Sequence, residues 1–83
     1  MAIPTAPDWL PRDIVSPISE AEKAAVRHAQ RFMRLPDTGE LDQRTEAALR
    51  GLQARFRLTP SGILDAPTAR LIDRLRPPGE EGS

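Results

Sequence analysis

From Gln30 onward the chain says the same thing twice. The run Gln30-Arg31-Phe32-Met33-Arg34-Leu35, followed by Thr38-Gly39-Glu40-Leu41-Asp42 and Thr45, returns 23 residues later. Its second form is Gln53-Ala54-Arg55-Phe56-Arg57-Leu58, followed by Ser61-Gly62-Ile63-Leu64-Asp65 and Thr68. Each copy leads into an apolar stripe at helical spacing: Ala48, Leu49 and Leu52 in the first, Leu71, Ile72 and Leu75 in the second. Self-similarity at a fixed offset marks one supersecondary unit used twice. Here the unit is a helix-loop-helix junction, and the two copies share the middle helix. The fold class that follows is all-α, a compact bundle of three helices.

Local signals place the helices. Ser19-Glu20-Ala21-Glu22 has the form of a capping box, in which the serine hydroxyl and the glutamate carboxylate satisfy each other's backbone donors. It opens a helix over 19–34, whose Ala25, Val26, Ala29, Phe32 and Met33 form one apolar face. Pro36 and Gly39 end it. Asp42 caps a second helix over 42–57, with Ala48, Leu49, Leu52 and Phe56 facing inward. Gly51, inside that helix, costs about 1 kcal/mol relative to alanine and points to a close helix crossing. Asp65 caps a third helix over 65–75, with Pro67 in its first turn, where no amide donor is needed. Pro77 and Pro78 stop it. Gly39 and Gly62 are expected at positive φ, and Leu41 and Leu64, just before the caps, are expected to plug the core. The domain is expected over 19–76, with a flexible polar tail over 77–83.

Residues 1–18 read as an extended arm, because four prolines and no periodicity exclude a helix. Two readings fit its Trp9, Leu10 and Ile14. They fold back on the core, or they pack on a neighbouring molecule as a partner-binding tether.

Composition removes several functions. Twelve basic and twelve acidic residues cancel, whereas a nucleic-acid binder displaces counterions with a net positive face. There is no cysteine, hence no disulfide and no thiolate metal site. The single histidine, His28, has no second or third ligand at a metal-binding spacing, so no metal or cofactor is expected. A nucleophilic triad has nothing to build on, and the chain is expected to be no enzyme. Asp42 and Asp65 could be imagined as a glycosidase pair, but each follows a turn glycine and precedes a threonine by three, which is a helix start. No stretch approaches the roughly 20 apolar residues of a membrane span. No export signal is recognisable at the N-terminus, so the expected place of synthesis is the cytosol.

The run Gln53-x-x-Phe56-x-Leu58-x-x-x-Gly62-x-Leu64-Asp65-x-x-Thr68-x-x-x-Ile72 resembles the second half of the peptidoglycan-binding domain family. Gly39-x-Leu41-Asp42-x-x-Thr45-x-Ala47-Ala48-Leu49-x-x-Leu52-Gln53 resembles its first half. Together the motifs cover about 26–75. The resemblance implies a three-helix module that holds cell wall without cutting it. The same fold forms the propeptide of matrix metalloproteinases, which Phe32-Met33-Arg34-Leu35-Pro36-Asp37-Thr38-Gly39-Glu40-Leu41-Asp42 also resembles. The inhibitory cysteine of that propeptide has no counterpart here.

Two functions remain open. The first is recognition of peptidoglycan by the loops flanking the middle helix, with Arg34, Thr38, Gln53 and Arg57 as ligand contacts. The arginines serve equally well as complements to helix C-termini, and Gln30 and Gln53 equally well as partners for the loop backbone. The second is a structural protein, for example of a bacteriophage virion, that docks other subunits and uses Trp9, Leu10 and Ile14 as a tether. Few aromatics and no catalytic partner domain favour it.

Overall fold

A computed structural model describes residues 7–75. The first six residues of the arm, the stop at Pro77 and Pro78 and the tail over 77–83 lie outside the described residues. Three helices form: α1 (Glu20–Phe32), α2 (Gln43–Arg55) and α3 (Ala66–Leu75). No strand occurs among the described residues. The expected caps are all in place. Ser19 and Glu22 form the full capping box on α1, Asp42 Oδ1 accepts from the Thr45 amide at 2.9 Å, and Asp65 Oδ1 accepts from the Thr68 amide at 3.1 Å.

The C-terminal ends of α1 and α2 are the same motif made twice. The Leu35 amide donates to the Gln30 carbonyl and the Arg34 amide to the Arg31 carbonyl. One repeat on, Leu58 donates to Gln53 and Arg57 to Ala54. These are Schellman closures, which require a left-handed residue just past the cap. Arg34 and Arg57 fill that position, at φ 62° and 65°. Gly39 and Gly62 then turn each chain at φ 82° and 78°.

The core gathers Ala25, Val26 and Ala29 of α1, Leu49 of α2, and Ala69 and Ile72 of α3, together with Leu64. The arm supplies the rest. Leu10 is 4% exposed and Ile14 is 0% exposed, and Ile14 exchanges two main-chain hydrogen bonds with Leu64, at 2.9 and 3.1 Å. Trp9 donates through Nε1 to Asp73 of α3 at 3.0 Å, and its ring lies 4.2 Å from that of His28 on α1. The arm is thus a strap across α1 and α3. The tether reading of Leu10 and Ile14 needs correcting, since side chains enclosed in the core have no surface left for a partner. The folded unit also starts upstream of residue 19.

Two further expectations fail for clear reasons. Phe56 is 39% exposed, because it is the C-cap of α2 and lies past the last inward-facing turn. Gly51 marks no helix crossing: it is exposed, and a Cβ built on it would meet nothing within 4 Å.

Candidate functional site

Each repeat holds its loop with one buried glutamine. Gln30 Oε1 accepts from the Gly39 amide at 2.9 Å. Its Nε2 shares two protons among Thr38 Oγ1, the Glu40 carbonyl and Thr45 Oγ1, at 3.1, 2.9 and 3.0 Å. Gln53 repeats the pattern: Oε1 accepts from Gly62 at 2.9 Å, and Nε2 donates to the Ile63 carbonyl at 2.9 Å and to Thr68 Oγ1 at 2.8 Å. A glutamine placed on the last turn of one helix therefore joins the loop glycine, the loop carbonyl and the N3 threonine of the next helix. Among the described residues no buried side-chain polar atom lacks a partner.

At the first junction this scaffold leaves a surface cleft of about 350 Å³. Leu35 and Pro36 line it from the loop, and Thr38, Asp42, Gln43, Arg44 and Thr45 supply its polar groups. Thr38 Oγ1 already accepts from Gln30 Nε2 and from the Glu40 amide at 3.2 Å. A hydroxyl with both lone pairs engaged keeps its proton to donate. The Asp42 carboxyl is held below its usual range, first by the Thr45 amide and then by the Thr45 hydroxyl, with the Arg44 charge adding to the effect. Arg44 makes no ion pair or side-chain hydrogen bond among the described residues. The cleft offers a hydroxyl donor, a guanidinium and an ionised carboxylate beside an apolar patch. That set suits a neutral or anionic ligand with carboxylates, amides and hydroxyls.

Of the expected ligand residues, only Thr38 lines this cleft. Gln53 is 0% exposed and its amide atoms are engaged by the second loop, so its expected contact with ligand is corrected to a structural role. Arg34 and Arg57 are exposed at the two Schellman ends, outside the cleft. Arg44 was missed in the sequence. The repeat drew attention to paired positions, and Arg44 has an uncharged counterpart, Pro67, in the second copy. Its position beside the Asp42 cap was the available signal. His28 lies half-buried against Trp9. The described residues contain no group of three or more His, Cys, Asp or Glu able to hold a metal, and no helix long and apolar enough to cross a membrane.

Residues 14–49 match the family model described as "Putative peptidoglycan binding domain". The matched segment runs from Ile14 of the strap through α1 and the first loop into α2, and so contains the cleft. No curated protein and no solved structure matches the chain. The family that the repeated motifs resemble, the peptidoglycan-binding domains, is the one whose model this chain matches.

Proposed function

We propose that this domain is a non-catalytic module that holds peptidoglycan in the cleft between α1 and α2. Thr38 donates to a carbonyl or hydroxyl of the ligand, Arg44 meets a carboxylate of the stem peptide, and Leu35 and Pro36 carry the apolar contact. One observation carries the reading: the cleft with its uncommitted Thr38 proton and unpaired Arg44 lies inside the segment that matches the peptidoglycan-binding family. Hydrogen bonds to a charged group contribute about 1.5–3 kcal/mol each, so the arginine is expected to dominate.

Sedimentation with insoluble peptidoglycan tests this. The wild-type chain is expected to pellet at low salt, and Arg44→Ala with Thr38→Ala to lose at least about tenfold in affinity, with helix content unchanged by circular dichroism. A wild-type protein that stays in the supernatant contradicts the reading. So does a folded double variant that pellets as well as the parent.

A further inference from the structure

Away from that cleft lies a larger groove of about 550 Å³ with different chemistry. Met33 and Phe56, the two equivalent C-cap residues of the repeat, both line it. Leu52 and Leu75 join them, with Leu75 37% exposed. Three helix ends therefore present apolar side chains to solvent in one place.

Two observations indicate what the groove takes. The first is Gly51, which lines it. Glycine within a helix costs about 1 kcal/mol, yet among the described residues no packing neighbour would come within 4 Å of a Cβ at this position. Its missing side chain keeps the groove open along α2. The second is charge. Arg55 lines the groove, and Arg34 and Arg57 directly follow Met33 and Phe56. None of the three makes an ion pair or a side-chain hydrogen bond among the described residues. Main-chain amides already close the helix ends on which these arginines sit.

We propose that this groove docks an acidic amphipathic helix of another protein, with aliphatic side chains on Met33, Leu52, Phe56 and Leu75 and carboxylates on Arg55, Arg34 and Arg57. The lining on α2 runs from Ala48 to Phe56, roughly 12 Å at 1.5 Å per residue. That length matches the i, i+3/i+4, i+7 anchors of a helix laid in a groove. A second copy of this chain is the poorer occupant. A two-fold contact uses the same patch on both copies and would set arginines against arginines.

The test uses the full ¹⁵N-labelled chain and two synthetic helical peptides of about four turns. Both carry leucines at i, i+3 and i+7, one with glutamates and the other with lysines on its remaining face. The glutamate peptide is expected to shift the amides of Gly51, Leu52 and Leu75 and to bind at least about tenfold more tightly than the lysine peptide. Arg55→Glu with Arg57→Glu should reverse that preference. Gly51→Leu, which raises helix propensity and so keeps the fold, should fill the groove and abolish binding. Equal binding of the two peptides, shifts confined to the α1–α2 cleft, or no shifts at all would overturn the proposal. Self-association of the free protein that Gly51→Leu removes would overturn it as well, by naming a second copy as the occupant.

Discussion

A buried amide brings two donors and an acceptor to a place without water, and each needs a partner. Gln30 and Gln53 meet that demand by fastening a loop glycine, a loop carbonyl and a threonine at once. Removing the amide strands the partners, at about 1–3 kcal/mol for each buried group left unmet. Gln53→Leu is therefore expected to cost at least about 2 kcal/mol in urea unfolding, despite the more apolar side chain. A loss near zero would mean that the second loop is held by something else. The left-handed arginines make a prediction of the opposite sign. A side chain at such φ costs about 1–2 kcal/mol, and the extra freedom of an unfolded glycine takes back about 0.4–1 kcal/mol. Arg34→Gly and Arg57→Gly should each raise stability by roughly 0.5 kcal/mol. Both glutamines stood out in the sequence because they repeat at a fixed offset. Their burial did not, since the pattern that places a residue beside an apolar stripe leaves its last few degrees of rotation open.

On the scale of elements, α1 shows how a cap can also tie down a neighbouring segment. Glu22 accepts from the Ile18 amide at 2.6 Å and the Ser19 amide at 3.1 Å, and it pairs with Arg12 of the strap. The Ile18 amide first, then the Arg12 guanidinium and the Ser19 amide, pull its pKa from 4.5 to about 2. A carboxyl lowered on folding stabilises the native state above its unfolded pKa. That contribution is complete above about pH 4.5 and is lost as the pH falls toward 2. Glu22→Gln should accordingly melt below the wild type at pH 6, with the gap closing as the pH approaches 2. A gap independent of pH would remove the carboxylate from the account. The capping box and the aspartate starts were legible because they depend on residues three apart. The strap was not, because an extended segment with prolines buries its side chains without any period. Phe56 misled because the helical stripe continues in register one residue past the last inward turn.

For the molecule as a whole, the strap decides whether three short helices hold together. A domain of about 60 residues buries only ~60% of its unfolded surface and is marginal. Leu10 and Ile14 belong to its core, and losing such a side chain costs about 2–5 kcal/mol. Deleting residues 1–17 is expected to abolish the cooperative thermal transition in circular dichroism; a truncated chain that melts like the parent would return the segment to the role of a loose arm. With the strap in place, the repeat builds one junction whose cleft carries uncommitted polar groups and a second in which Pro67 stands where the first has Arg44. That asymmetry singles out the first junction as the binding cleft, and titrating the ¹⁵N-labelled chain with soluble peptidoglycan fragments tests the proposed function most directly. Saturable shifts are expected to cluster on Leu35, Thr38, Arg44 and Thr45, with Gly51 and Leu75 unmoved. Shifts centred on the groove residues instead, or a spectrum unchanged at millimolar fragment, would contradict it.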